Sequence, residues 1–322
     1  MKKLKTMVLS VAGMLTISAA TLAAPTTALA NGIDTTVINE KWGKPTFAYG
    51  GGLSEAQVEE TAELLGIENM ENVNSFPVTG EDLEHYLNEG ASDTSSMISS
   101  VLVQKQDEGE GVEVSIETPD QITEITAEQY TNAAITAGVN DALIMVASVT
   151  RVTGESALTG IYKAFDANGE ELEQDRMEVA QEELETTNSI AQENADEEGF
   201  DPSRLDQAII EIKQSLADLK EQQGELATRE DMERIIQEAL ANFELENYVT
   251  QDQVDRLLAL FEKYQQTSAI DSEKVQEQLK DLSNTVQDKV SDLINQAEES
   301  GLMDRIGNFF REIWNAITNL FN

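Results

Sequence analysis

The hydrophobic pattern changes character near the middle of the chain. Up to residue 167, short apolar runs alternate with amphipathic stretches, which is typical of strands and helices that follow one another. From residue 168 onwards, apolar residues recur at steps of three or four, which predicts helices that pack on one another. The runs that predict strands include 73–78, 97–104, 112–116 and 143–149. We therefore expect an α+β protein, with an N-terminal α/β region (46–167) on a mixed sheet and an all-helical region (168–300) after it.

The α/β region carries the pattern of a duplicated β-α-β-α unit. Three landmarks recur in the same order at a nearly constant spacing: a helix-starting Ser or Thr with Gln three residues later, a glycine at the helix end, and Val-Thr-Gly-Glu. They are Ser54, Gly66 and Val78–Glu81 in one copy, and Thr126, Gly138 and Val152–Glu155 in the other. We expect the two copies to occupy equivalent positions in one sheet.

Each copy places a Thr-Gly-Glu triplet at the predicted start of a helix. The candidate binding residues are Thr79, Gly80 and Glu81 in the first copy, and Thr153, Gly154 and Glu155 in the second. A helix N-terminus carries partial positive charge and free N–H groups, so an anion could bind at either triplet. Helix capping alone explains the same residues, with the Thr as the cap and the glycine as a tight turn, and this simpler explanation stays open.

Two glycine-rich segments predict turns. Gly50–Gly52 lacks the Gly-Lys-Ser/Thr ending of a phosphate loop, so it predicts a flexible strand-to-helix turn. Residues 107–111 predict a hairpin-like turn between the strands 97–104 and 112–116.

The last residues, 301–322, predict an amphipathic, aromatic helix. Its apolar stripe makes it the candidate interaction helix, formed by Ile306, Phe309, Phe310, Ile313, Trp314, Ile317 and Phe321. The stripe must be covered by the protein's own helices, by a second copy or by an envelope component. A membrane surface is possible but not favoured, because acidic residues balance the basic ones on the polar side.

The N-terminus predicts export. Lys2, Lys3 and Lys5 precede an apolar stretch, and Ala28-Leu29-Ala30 fits a signal-peptidase site, so residues 1–30 are interpreted as a signal peptide cleaved near Ala30. The alternative is an uncleaved membrane anchor, for which the stretch is short. We expect an extracytoplasmic protein, secreted or in the cell-wall space, that starts with a flexible leader at residues 31–45.

The composition of the chain excludes several classes of function and of functional site. With 61 acidic and 21 basic residues, the formal charge is −40, which excludes a non-specific nucleic-acid binder. The absence of Cys excludes disulfides and thiolate metal sites, and no metal or cofactor is expected. His85 is the single His, and no G-x-S-x-G accompanies it, so a Ser-His-carboxylate triad is not expected.

The segments Thr131–Val139 and Val152–Phe165, together with the terminal Phe309–Ile317, resemble an exported Firmicute family, domain-of-unknown-function family 1002. The resemblance implies export and a Gram-positive setting, and it supplies no activity, cofactor or catalytic residue. We expect a non-enzymatic binding or structural protein of the cell envelope, whose partner is unknown. The alternative is a hydrolase that acts on a wall polymer through carboxylates or hydroxyls.

Overall fold

A computed structural model describes residues 32–88 and 93–283. The strands are β1 (Thr46–Gly50), β2 (Asn74–Val78), β3 (Ser100–Lys105), β4 (Val112–Ile116) and β5 (Ala142–Ala147). The helices are α1 (Glu55–Leu64), α2 (Gly80–Leu87), α3 (Ala127–Ala137), α4 (Ser156–Ala167), α5 (Gln174–Glu193), α6 (Pro202–Gln223), α7 (Arg229–Asn242) and α8 (Gln251–Tyr264). Residues 273–283 are also helical. The predicted α+β class is confirmed.

The strands form one mixed sheet in the order β2-β1-β3-β5-β4. β1 pairs in parallel with β2, β4 pairs in parallel with β5, and β3 runs antiparallel to both β1 and β5. β3 is the central strand, and its Val101, Leu102 and Val103 are completely buried. The continuous apolar run at 143–149 is explained in the same way, since β5 is an interior strand covered on both faces.

The β-α-β-α order occurs twice, as β1-α1-β2-α2 and β4-α3-β5-α4, but the two units are not in equivalent positions. β2 is an edge strand, whereas β5 lies next to the central strand. The helices α1 and α3 also pack on opposite faces, α1 with Phe47 and Leu102, and α3 with Val101 and Ile144. The expected equivalence is wrong because β3 separates the units and α3 and α4 share one face.

The hairpin predicted at 107–111 is also wrong, because β5 inserts between β3 and β4 in the sheet. The turn is held at the start of β5 instead. The carboxylate Oδ1 of Asp141 accepts hydrogen bonds from the backbone N–H of Gly109 (2.9 Å) and Gly111 (3.2 Å). Both glycines have left-handed φ angles, +90° and +74°, which residues with a side chain rarely adopt.

The segment 32–45, predicted to be a flexible leader, contacts the α/β half at some residues, while Val37 and Ile38 are exposed, and its flexibility stays a prediction. Ile33 is buried. The Trp42 indole N–H donates to Glu170 Oε1 at 2.7 Å, and its ring stands edge-on to Phe165 with the centroids 4.9 Å apart. Asn39 donates to the Lys105 carbonyl at 2.6 Å, which fixes the segment to the end of β3.

The predicted helix signals after residue 168 are confirmed as far as residue 283. Leu205, Ile209, Ile212 and Leu216 form the buried seam of α6 within a core shared with α7 and α8. α5 contributes to this core and also to the core under the sheet, so it links the two halves. No helix among residues 32–88 and 93–283 is long and apolar enough to cross a membrane. The predicted signal peptide, residues 284–300 and the predicted interaction helix lie outside the described residues.

Candidate functional site

A group of buried, hydrogen-bonded polar side chains lies where α3 meets the C-terminal helices. Every residue of α3 from Gln129 to Ala137 is buried. Its alanines let the helix approach the sheet closely, and its polar residues Asn132 and Thr136, one turn apart, are buried away from solvent. Since buried polar groups must find partners within the protein, this side of α3 predicts complementary groups on the facing helices.

Those partners are a lysine and a glutamate. Lys213 on α6 is completely buried and Glu183 on α5 is 2% exposed. The Lys213 Nζ lies 2.5 Å from Glu183 Oε1, 2.8 Å from Thr136 Oγ1 and 3.2 Å from Asn132 Oδ1. The Thr136 hydroxyl donates to the other carboxylate oxygen, Glu183 Oε2, at 2.7 Å. We call Asn132, Thr136, Glu183 and Lys213 the polar joint, because they connect α3 with α5 and α6.

Burial and the neighbouring charge act in opposite directions on the pKa of Lys213. Burial lowers the pKa of Lys213 because the charged form loses its hydration, and the nearby Glu183 carboxylate partly opposes that shift. The Tyr264 ring lies 5.8 Å from Nζ, close enough for a cation–π contact.

A second buried cation closes the C-terminal end of α3. The Arg176 guanidinium donates to the Thr136 carbonyl at 2.7 Å and to the Ile135 carbonyl at 3.1 Å. These carbonyls belong to the last turn, where an α-helix has unpaired acceptors and partial negative charge. Gly138 ends the helix with φ of +101°, as predicted, and a Cβ there would lie 3.2 Å from Arg176 Cζ.

A buried carboxyl occupies the N-terminal end of α3. The Thr126 hydroxyl donates to Asp206 Oδ2 at 3.0 Å, and Asp206 is 1% exposed. Burial raises the pKa of Asp206 to about 8, while the hydrogen bond from Thr126 works in the other direction. Thr126 also forms the predicted capping box with Gln129, whose Oε1 accepts from the Thr126 N–H at 3.1 Å.

The first predicted triplet does start a helix, but its donors are already paired. Thr79 is the N-cap of α2, and its N–H donates to Asp82 Oδ2 at 2.7 Å rather than to Glu81, which is exposed. The Gly80 N–H donates to Thr94 Oγ1 at 3.0 Å. An anion would therefore have to displace Thr94 beside the Asp82 carboxylate, and anion binding at this triplet stays a prediction.

The second triplet does not start its helix at Thr153, and this expectation is wrong. α4 begins at Ser156, and Glu155 is its N-cap residue. Gly154 is required by packing: its φ is +111°, its carbonyl accepts from the Tyr130 hydroxyl at 2.7 Å, and a Cβ would lie 2.4 Å from that hydroxyl. Burial, followed by the charge of Glu185, raises the pKa of Glu155.

The predicted turn at Gly50–Gly52 is confirmed between β1 and α1, and its N–H groups are not free for a phosphate. They donate to Ser100 Oγ, the Val78 carbonyl and the Met97 carbonyl at 3.1, 2.7 and 2.9 Å respectively. His85 lies on the exposed side of α2. In the described part of the chain, no three His, Cys, Asp or Glu side chains form a group that could hold a metal ion.

Sequence reasoning missed the polar joint because its members are scattered along the chain and no motif marks them. Lys213 is separated from Asn132 by 81 positions and from Glu183 by 30. One weak signal in the sequence could have pointed to Lys213. Lys213 follows Ile209 by four residues and so falls next to the apolar seam of α6, where a charged residue needs a buried partner.

Comparison with known proteins identifies the family. A family model described as "Protein of unknown function (DUF1002)" matches residues 49–282. The chain belongs to the DUF1002 family. It is 29% identical over 276 residues to the "Uncharacterized protein YpuA" of Bacillus subtilis (strain 168), an alignment that covers 84% of this chain and 88% of YpuA. No solved structure matches the chain. The DUF1002 match spans both halves and every residue of the polar joint, so it confirms the resemblance stated from the sequence.

Proposed function

We propose that this DUF1002 protein is an exported, non-enzymatic binding or structural protein of the cell envelope. The observation that carries the proposal is the polar joint. Its charged groups, Lys213 and Glu183, are buried where no substrate reaches them. They act on the protein itself, since they hold α3 of the sheet region against α5 and α6.

The energetics favour a mechanical role for these residues. Removing one partner of a buried ion pair typically costs about 3–5 kcal/mol, because the other charge stays buried without compensation. Arg176 adds two charged hydrogen bonds to the same helix. The two halves should therefore move together, which suits a protein that presents a fixed surface to a partner.

Export is supported by the signal-peptide pattern at residues 1–30. Fractionation of a Gram-positive host that produces the full chain tests it. We expect extracytoplasmic protein whose N-terminal residue is Asn31, and Ala30→Lys should block processing while Ala23→Ser, outside the cleavage motif, should not. Protein that stays in the cytoplasm with Met1 intact would refute the export part.

The binding role needs a separate measurement. Processed protein should co-sediment with either purified cell wall or purified membrane, and it should release no soluble fragments from the wall. Release of wall fragments that is lost in Glu155→Gln would favour the hydrolase alternative, because Glu155 is a half-buried carboxyl with a raised pKa, as a general acid requires. Exported protein that binds neither fraction would refute the binding role.

A further inference from the structure

We propose that the polar joint is a site of covalent modification, in which Lys213 and Asn132 form an isopeptide bond with Glu183 as the proton carrier. The inference goes beyond the proposed function and does not depend on export or on a partner. It rests on a lysine amine, a carboxamide and a carboxylate that meet in one solvent-free site.

The amine lies within hydrogen-bond distance of the Asn132 amide. The Lys213 Nζ is 3.2 Å from the Asn132 side-chain oxygen and 3.3 Å from its backbone carbonyl oxygen, so attack on Cγ requires the amine to turn from the oxygen towards the carbon. Asn132 is 3% exposed, Glu183 is 2% exposed and Lys213 is fully buried, so water cannot compete for the amide. Groups that are held together in this way react at a very high effective concentration.

The site also favours the reactive protonation state. An amine must be neutral to act as a nucleophile, and desolvation is one way by which proteins make a lysine neutral. The contact of 2.5 Å between Nζ and Glu183 Oε1 gives the ammonium proton a direct path to the carboxylate. Burial lowers the pKa of Lys213, so its neutral form is reached more easily here than in water.

The chemistry balances without a co-reactant. Glu183 takes one proton from the Lys213 ammonium, and the neutral Nζ attacks Cγ of Asn132. The new bond is Nζ–Cγ, and the bond that breaks is Cγ–Nδ2. A second proton leaves Nζ, and the leaving nitrogen departs as ammonium after it receives both protons, so Glu183 ends as a carboxylate. Nothing is oxidised or reduced, and the chain loses the mass of one ammonia.

A comparable group elsewhere in the chain gives a control. The Lys105 Nζ lies 2.9 Å from Asn140 Oδ1 and 2.8 Å from Glu170 Oε2. However, the Glu170 side chain is 35% exposed, so water can solvate its charge. We therefore expect this second group to remain an ion pair.

Intact mass measurement of the denatured full chain tests the proposal. We expect the folded protein to be lighter than its sequence by one ammonia, counted from its observed N-terminus, and trypsin to release a branched peptide that joins Asn132 to Lys213. Lys213→Met and Glu183→Gln should restore the full mass, whereas Lys105→Met should leave the loss unchanged.

Several results would overturn the proposal. Folded wild-type protein of full mass would do so directly. So would a mass loss that persists in Lys213→Met, because a succinimide elsewhere loses ammonia without joining two peptides. If the Lys213 or Glu183 variant does not fold, the wild-type digest alone decides, by the presence or absence of the branched peptide.

Discussion

Replacing Asp206 by Asn should make the protein more stable at neutral pH, although it removes a hydrogen-bonded carboxyl. Asn keeps the shape of the side chain, and its Oδ1 can still accept from the Thr126 hydroxyl, which is 3.0 Å from Asp206 Oδ2 in the wild type. The difference is that the Asp206 carboxyl can gain or lose a proton, whereas an Asn side chain cannot. The pKa of Asp206 is raised from 3.8 to about 8 in the folded state, chiefly by burial. The folded protein therefore holds a proton that the unfolded chain releases.

The sign of the pH dependence follows directly. A carboxyl whose folded pKa is raised gives the folded state its full proton-linked stability below pH 3.8, and that stability is lost as the pH rises to about 8. Each pH unit inside this window costs about 1.4 kcal/mol. At pH 7, about 3 pH units above 3.8, the loss amounts to about 4 kcal/mol. Relaxation around the buried charge reduces this loss, so we expect Asp206→Asn to gain about 2 kcal/mol.

Urea unfolding followed by circular dichroism at pH 5, 6, 7 and 8 measures the difference in stability between the variant and the wild type. That difference should grow in favour of the Asp206→Asn variant as the pH rises. Asp255→Asn on the exposed side of α8 is the control, because it removes one negative charge without touching α3. A difference that stays flat across this range, or that shrinks as the pH rises, would refute the reasoning.

Three further substitutions test other parts of the structure. Gly154→Ala should destabilise the protein by about 2 kcal/mol more than Gly169→Ala. Both glycines have positive φ, but of the two only Gly154 faces a side chain, the Tyr130 hydroxyl. Equal decreases in the thermal midpoint of the two variants would contradict this prediction. Arg176→Met should cost about 2–4 kcal/mol in urea unfolding, since two carbonyls of α3 lose charged donors. Trp314→Ala should leave the circular dichroism spectrum intact but change sedimentation or fractionation, and no change in either would remove the interaction role of residues 301–322.

Local signals in the sequence predicted where elements begin and end, because these are decided within one turn. The capping boxes at Ser54 and Thr126 and the helix-ending glycines Gly66 and Gly138 all lie where the pattern placed them. The prediction that Thr153 starts a helix was wrong because the same residue types also fit a packed turn. There the contact with Tyr130, a residue in another element, decides the backbone conformation.

The order of the strands in the sheet could not be predicted from the sequence, for a different reason. The hairpin at 107–111 was the natural expectation, because consecutive strands usually pair. The competing pair, β3 with β5, buries Val103 against Ile144 and Leu102 against Met145, so both faces of the central strand are covered. That preference depends on which helices cover each face, and no local pattern carries this information.

The polar joint connects the two differently patterned regions of the chain. α3 belongs to the sheet by sequence and packing, yet its polar side is completed only by Glu183 of α5 and Lys213 of α6. A sheet region without these helices would expose Asn132 and Thr136 together with the carbonyls that Arg176 covers. The helical region alone would carry Lys213 and Glu183 without the polar groups that satisfy them. The two regions therefore satisfy each other's buried polar groups, and the DUF1002 match, residues 49–282, covers both of them.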